Sequence, residues 1–224
     1  MVRDMYHSHI IRVSNNWTTN SKGKRFFDVI VATVMLVLFA PVMVLIAGWL
    51  KLVSPGPVFY SHARIGKNNE PFQCFKFRTM VIDADQRLAD LLASDHAARM
   101  EWEACRKLRR DPRIVPGVGA LLRKSSLDEL PQIFNVLRGD MSIVGPRPIV
   151  EDELQYYGPH RDAYLAVRPG LTGPWQSSER SDGTYGSRVQ KDADYIHNGT
   201  LRTDISLIST TARKLLNFRL TGAY

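Results

Sequence analysis

The feature that most restricts this chain is an uncharged apolar run over residues 29–50, VIVATVMLVLFAPVMVLIAGWL, 22 residues in all. As a helix rising about 1.5 Å per residue it is about 33 Å long, enough to cross the hydrocarbon of a bilayer. It exceeds the apolar core of a secretory signal, and no small-residue cleavage site follows it, so the segment is read as retained. Length does not decide whether it crosses. Lys22, Lys24 and Arg25 precede the run, and Lys51, Arg64, Lys67, Lys76 and Arg78 follow it, so the cationic asymmetry of a simple span is missing. Pro41, near the middle, removes one backbone donor and predicts a kink or break. Both features fit a segment that enters the membrane, bends at Ala40-Pro41 and returns to the same side. A single-pass helix with a tolerated proline is the alternative. Asp28 stands at the start of the run, and Arg25, three residues earlier on the same helix face, is its expected partner.

At 224 residues the chain can bury one sizeable core. Residues 1–21 are polar, lack an apolar period and read as a mobile N-terminal arm. Residues 22–53 hold the re-entrant membrane helix, and residues 54–224 the catalytic-sized domain. After the turn SPGP, the stretches VFYSHARIG and FQCFKFRTM read as two short strands joined by KNNE, with basic residues interleaved. Residues 83–110 carry a helical apolar stripe. Further on come a helix from Ser126, the turn RGDMSIVGPRP, an acidic helix start near Glu151, and an amphipathic C-terminal helix over residues 206–218. The expected architecture is mixed α/β, mostly helical with a small sheet, seated on a membrane by the broken helix and by amphipathic helices.

Thirty Lys and Arg against 22 Asp and Glu give a formal charge of +8, which favours an anionic partner: nucleic acid, a phosphorylated small molecule or anionic lipid. A membrane-anchored nucleic-acid module would cluster its cations with interleaved aromatics, and only FQCFKFRTM approaches that pattern, so no nucleic-acid partner is expected. Cys74 and Cys105 form no CxxC pair and have no histidine cluster beside them, which argues against a disulfide framework or a zinc site. They read as two reduced thiols facing the cytosol.

The stretch SSLDELPQIFNVL, residues 125–137, sets Asp128 and Glu129 side by side at the start of an amphipathic helix. Ser126-x-x-Glu129 has the form of a capping box, so the two acids could serve only the helix end. Arg123 and Lys124 just upstream, together with the helix N-terminus, would instead keep a carboxylate ionised and nucleophilic and offer N–H groups to a phosphate. Pro131 falls in the first helical turn, where its missing donor is harmless. A second motif, GPRP at residues 145–148, fixes Arg147 between two prolines. It is either a surface turn or a preset phosphate fork. RPGLTG, residues 168–173, is a turn beside a cation. The histidines show no ligand spacing.

In order, KRFFD with the proline-broken apolar segment, FKFRTM, RKSSLDELPQIFNVLRGDMSIVGPRP and RPGLTGPWQ resemble the bacterial sugar transferase family. These are the monotopic phosphoglycosyl transferases that start exopolysaccharide and glycoconjugate assembly. The resemblance runs from about Lys24 to the C-terminus and is strongest to short, single-domain members that transfer galactose 1-phosphate or glucose 1-phosphate. It implies that Asp128 attacks the β-phosphate of a UDP-hexose, releasing UMP, and that polyprenyl (undecaprenyl) phosphate then takes the sugar phosphate from the carboxylate. It further implies Mg²⁺ held by Glu129 with Asp128, phosphate contacts from Arg123, Lys76, Arg78 and Arg147, and an acid near the substrate at Asp192. The implied location is the cytoplasmic face of the bacterial inner membrane, among anionic lipids. A homo-oligomer is compatible with the sequence and not demanded by it. Pro174, Glu179 and Gly199-Thr200 depart from the family pattern, which bears on the choice of sugar and leaves the acidic pair untouched. An inactive scaffold for polysaccharide assembly would keep the same fold without turnover.

Overall fold

The structure is a computed structural model and describes residues 16–105, 108–178 and 184–216. A short helix, α1 (Asn16–Asn20), leads into α2 (Lys22–Val53), which carries the apolar run. A hairpin of β1 (Phe59–Ile65) and β2 (Pro71–Phe77) follows, then α3 (Ala84–Ser94), α4 (His96–Cys105), α5 (Val118–Ser125) and α6 (Gln132–Arg138). The second half holds β3 (Ser142–Val144), α7 (Arg161–Leu165), β4 (Gly170–Thr172), α8 (Pro174–Ser178), α9 (Tyr185–Asn198) and α10 (Leu201–Leu216). The chain is mostly helical with little sheet, as its sequence predicts. Helix α10 starts at Leu201, ahead of the expected Ser206, and residues 217–218 of that expectation lie outside the described residues. So do residues 1–15 of the arm, Glu179 and the side chain of Cys105.

Helix α2 begins where the Ser21 hydroxyl accepts from the Lys24 N–H at 3.1 Å, satisfying one of the donors that a helix start leaves open. It continues through Pro41 as one element. Of the kink or break expected at Ala40-Pro41, the break is absent: proline removes a single ladder bond, and the turns on either side hold. Its buried residues, Lys24, Asp28, Ala32, Met43, Ile46 and Leu50, recur at helical spacing and form one inward stripe. Val37, Leu45 and Leu52 on the other side are 70%, 72% and 87% exposed, so the helix packs along one face and leaves an apolar face uncovered.

The partner expected for Asp28 is corrected. Asp28 lies 3.8 Å from Lys24 and accepts from the Ser142 hydroxyl at 2.9 Å and the Ile143 N–H at 3.0 Å. Arg25 turns away and donates to the carbonyls of Val136 and Leu137, at 2.6 and 2.9 Å, at the end of α6. That is where a cation best meets the open carbonyls and the negative end of a helix. Within the segment read as a mobile arm, α1 is packed down: Thr18 is buried and bonds the Ile196 carbonyl at 2.6 Å.

The hairpin forms as predicted, antiparallel, with Tyr60 opposite Lys76, His62 opposite Cys74 and Arg64 opposite Phe72. Asn135 of α6 joins it to the helices. The side chain, fully buried, accepts from the Phe75 N–H at 3.0 Å and donates to the Gln73 carbonyl at 2.7 Å and to Asp140 at 3.0 Å. An amide group thus takes the place of a neighbouring strand along the free edge of β2. The helical stretch expected over residues 83–110 divides at Asp95, whose carboxylate caps the second piece by accepting from the Ala98 N–H at 3.0 Å.

Strands β3 and β4, read from sequence only as turns, pair in parallel. Their flanking loops interlock: Gly145 N–H donates to Thr172 at 3.0 Å, and Gly170 N–H donates to Pro146 at 2.8 Å. A Cβ on Gly170 would stand 2.1 Å from the Gly145 nitrogen, so GPRP and RPGLTG need their glycines for close backbone approach.

Replacing Asn135 by alanine takes the side-chain partner from the part-buried Phe75 N–H and Gln73 C=O of β2. Thermal unfolding in detergent is expected to show a loss of roughly 1 to 2 kcal/mol, with Asn135→Asp also destabilising because it removes the donor to Gln73. An unchanged melting temperature for both would show that the helix-to-hairpin joint lies elsewhere.

Candidate active site

Asp128 and Glu129 owe their position to a reversal of the chain. Helix α5 stops at Ser125, and Ser126 takes a left-handed conformation with φ 59°, uncommon for a residue with a Cβ. The acids then sit on a single 3₁₀ turn, Leu127–Glu129, ahead of α6. The expected capping box is not formed, since Ser126 makes no side-chain cap bond there. Leu130 and Ile133 are buried in the main core, with Leu127 packed against it, so apolar burial on the flanks fixes a turn whose own residues are polar. Pro131, at φ −61°, directs the chain into α6.

Lys76 reaches this turn from β2. Its ammonium lies 2.7 Å from Glu129 Oε1 and 3.9 Å from Asp128 Oδ2. Asp128 is pushed up to about 6, first by burial and next by the Glu129 charge, against the pull of Lys76 and Arg123. Two adjacent carboxylates with one shared ammonium raise the proton affinity of the more buried one.

The turn opens on a cleft lined by Arg64, Cys74, Lys76, Glu129, Arg147 and Gln176, among others. Arg64 and Arg147 stand close enough that the Arg147 charge, after burial, lowers the Arg64 pKa. Cations gathered in a half-buried cleft make a site for a polyanion. Arg147 also lies over the Trp175 ring, 5.7 Å from its centroid, and Arg188 of α9 approaches the same ring at 5.4 Å.

Of the residues expected from sequence, Glu129, Lys76 and Arg147 line this cleft, Asp128 stands beside it, 3.9 Å from Lys76, and Arg123 acts on Asp128 through its field. Arg78 does not. It is buried and donates to the Ser54 and Pro55 carbonyls, at 2.7 and 3.0 Å, closing the C-terminal end of α2. The reason is register: Arg78 lies beyond the last paired residue of β2, where the chain passes the helix end. Asp192 stands behind the cleft, fully buried, accepting from the Tyr157 hydroxyl at 2.9 Å. Burial raises it to about 6 against Tyr157, Arg188 and Arg147. It braces the arginines instead of lining the cavity. Arg64 and Arg188 were not read from sequence as site residues; strand alternation, with Arg64 two residues from His62 and four from Tyr60 on the sheet face that also carries Lys76, was the signal that could have found Arg64.

Among the described residues no group of three or more His, Cys, Asp or Glu side chains gathers to hold a metal. Asp128 and Glu129 nevertheless suit Mg²⁺, which binds through one or two carboxylates while a substrate phosphate and water complete its shell. Their mutual repulsion, which adds to burial in raising Asp128, is what a divalent cation would relieve.

The bacterial sugar transferase family model matches residues 19–218. The chain is 46% identical over 218 residues to an undecaprenyl-phosphate galactose phosphotransferase of Salmonella typhimurium, covering 96% of this chain and 45% of that protein. It is 48% identical over 189 residues to an exopolysaccharide production protein of Sinorhizobium fredii, covering 84% of this chain and 83% of that one. A UDP-glucose:undecaprenyl-phosphate glucose-1-phosphate transferase of Caulobacter vibrioides is 38% identical over 201 residues, 86% of this chain and 69% of its own. The chain thus spans less than half of the Salmonella protein and most of the other two. A match over nearly the whole chain is decisive: the chain belongs to the bacterial sugar transferase family, and its enzyme class is that of a sugar-1-phosphate transferase.

Proposed function

We propose that the chain transfers a hexose 1-phosphate from a UDP-hexose to undecaprenyl phosphate through an aspartyl phosphosugar, releasing UMP and starting exopolysaccharide assembly. The observation that carries this reading is the half-buried carboxylate pair, held by Lys76 at 2.7 Å from Glu129 and 3.9 Å from Asp128, at the edge of a cleft lined by Arg64 and Arg147.

Asp128 is the nucleophile. Its carboxylate oxygen attacks the β-phosphorus, and the bond from that phosphorus to the bridging oxygen breaks. The bridging oxygen and its electron pair leave with UMP, giving an acyl phosphate. An oxygen of the lipid phosphate then attacks the same phosphorus, the acyl phosphate bond breaks, and Asp128 returns as carboxylate with polyprenyl diphosphate hexose as product. Both steps move negative charge across phosphoryl oxygens, and Lys76, Arg64 and Arg147 supply fixed positive charge there. Mg²⁺ at Glu129 and Asp128 would neutralise the diphosphate. Asp128 must be ionised to attack, and a carboxyl near 6 is largely so at neutral pH while remaining more basic than an ordinary aspartate.

The same reading puts α2 in the cytoplasmic leaflet of the bacterial inner membrane. Both of its ends are tied to one body, the first through Lys24 to Asp204 at 2.8 Å and Arg25 to α6, the last through Arg78 to Ser54 and Pro55. A helix crossing the bilayer would carry its ends to opposite sides. Only 17% of its most apolar window is buried, so lipid covers the remainder, and the cleft meets both a soluble donor and a membrane-held acceptor. A monotopic arrangement of this kind predicts that cysteines placed at Lys22 and Lys51, in a Cys105→Ser background, both react with an impermeant maleimide in inside-out vesicles. Reaction of only one from that side would require a crossing helix.

The decisive experiment measures UMP release from a panel of UDP-hexoses with undecaprenyl phosphate and Mg²⁺ in nanodiscs. Release with one donor, abolished in Asp128→Asn, is the expected result and names the sugar; equal release by the variant would exclude the covalent route. For pH, the ionised form is the active one, so kcat/KM for the donor should fall as pH drops through about 6. A profile flat from about pH 5 to 8 would remove Asp128 ionisation from the mechanism.

A further inference from the structure

The floor of the cleft continues beyond the residues used so far. Directly opposed residues of an antiparallel pair stand on the same face of the sheet. Arg64, Cys74 and Lys76 line the cleft, and the register sets His62 against Cys74 and Tyr60 against Lys76. Tyr60 and His62 therefore stand on the cleft face, beside those side chains, and both are exposed, Tyr60 at 53%. Their ring centroids lie 6.3 Å apart with planes tilted by 42°, which leaves ring faces open instead of closed on each other. An exposed aromatic pair on a cationic face contributes little to the fold.

The contact with Arg64 settles the state of His62. His62 Nδ1 lies 3.1 Å from Arg64 Nη2. A guanidinium only donates, so Nδ1 accepts, and the ring carries its single proton on Nε2. Burial, Arg64 and Lys76 all hold His62 below the usual imidazole range, so the neutral ring prevails at cytoplasmic pH. His62 then offers a neutral aromatic face and one N–H donor, directed away from Arg64. Tyr60 offers a larger ring and a hydroxyl.

We propose that Tyr60 and His62 form the base subsite for the nucleotide donor: a planar heteroaromatic base with ring carbonyls, as in a uracil nucleotide, stacks on Tyr60 and accepts at a carbonyl from His62 Nε2–H. The inference rests on the donor being a UDP-sugar. Arg64 and Lys76, on the same strand face, hold the phosphates, so one two-stranded ladder reads both ends of the nucleotide. Stacking gives the attraction and the Nε2–H donor selects for an acceptor at the base edge. An acyl chain gains nothing from such a donor and would strip water from the cations on either side.

The test uses competition against UDP-hexose turnover by full-length protein in detergent, with UMP and ribose 5-phosphate as the two probes; the second keeps the sugar and phosphate and lacks the base. Tyr60→Ala is expected to weaken UMP about tenfold and to leave ribose 5-phosphate within about twofold, while Tyr60→Phe keeps the wild-type value for UMP. His62→Gln, which retains an N–H donor, should bind UMP more tightly than His62→Ala. Equal loss for both probes in Tyr60→Ala, or no loss for UMP, would overturn the subsite with the reaction class intact. Wild-type turnover of a donor without uracil, insensitive to UMP, would overturn the UDP-sugar reading and the subsite with it. Both side chains are exposed, so their replacement does not endanger folding.

Discussion

One side-chain amide decides where the chemistry can sit. Asn135, at the centre of α6, reads the Gln73 carbonyl and the Phe75 N–H together, and these two groups bracket Cys74 on β2. That contact fixes the helix against the strand at one register. The acidic turn runs directly into α6, and Lys76 lies one residue beyond Phe75, so the distance from Lys76 to Glu129 follows from this joint. An apolar contact could slide by a turn at modest cost. A pair of directed hydrogen bonds from a fully buried amide cannot, because a slipped register would leave the Asn135 side chain without its partners in the interior. The backbone of the same residue accepts from the Gly139, Asp140 and Met141 N–H groups, which ends α6 and sends the chain into β3. Asn135 thereby links the acidic turn to the strand that precedes Arg147.

A second constraint holds α2 to this body. Asp204 of α10, fully buried, accepts from Lys24, from Trp17 at 3.1 Å and from Tyr195 at 2.6 Å. Removing one member of such a set leaves a buried charge uncompensated, at a cost of about 3 to 5 kcal/mol. Four separate parts of the chain, α1, α2, α9 and α10, meet at this carboxylate. A long apolar helix with one face uncovered would otherwise be free to leave the domain for lipid. The ion cluster at its start and the Arg78 closure at its end keep both ends of the helix attached to the domain that carries the cleft.

Much of this was legible in the sequence where local chemistry and global fold agree. The hairpin was readable because alternation and the turn KNNE specify it without help from elsewhere. The helical content followed from apolar periodicity, and a site joining Asp128, Glu129 and Lys76 was implied by the family resemblance. What failed depended on partners distant in sequence. Arg25 and Lys24 are equally plausible neighbours for Asp28 by spacing, and the choice is made by α6, more than a hundred residues away. Ser126 fits a capping box by pattern, but the chain reverses there in a left-handed conformation. Arg78 shares a strand-like motif with Lys76, yet falls past the paired register and serves a helix end. The β3–β4 pair was hidden because each strand spans only three residues and its signature is glycine, needed for backbone approach and silent about strand periodicity.

The charge arrangement at the site follows one logic in the proposed reaction. Before the donor arrives, Lys76 is committed to Glu129 at 2.7 Å and stands farther from Asp128, at 3.9 Å. One ammonium cannot fully satisfy two carboxylates, and burial first, with the Glu129 charge next, holds Asp128 above the usual carboxylate range. A diphosphate entering between Lys76, Arg64 and Arg147 competes with Glu129 for that ammonium, and its own negative charge makes a divalent cation at the carboxylates more favourable. Arg123, which lowers the Asp128 pKa from the end of α5, keeps the nucleophile ionised while Lys76 is drawn to phosphate. The carboxylate is therefore poised by desolvation to be a better nucleophile than an exposed aspartate and kept charged by cations of two separate elements. A single cation could not serve both ends, since every gain in phosphate binding would be a loss in nucleophile ionisation. The site needs its excess of positive charge for that reason, and a basic protein places it on rigid strand and helix ends.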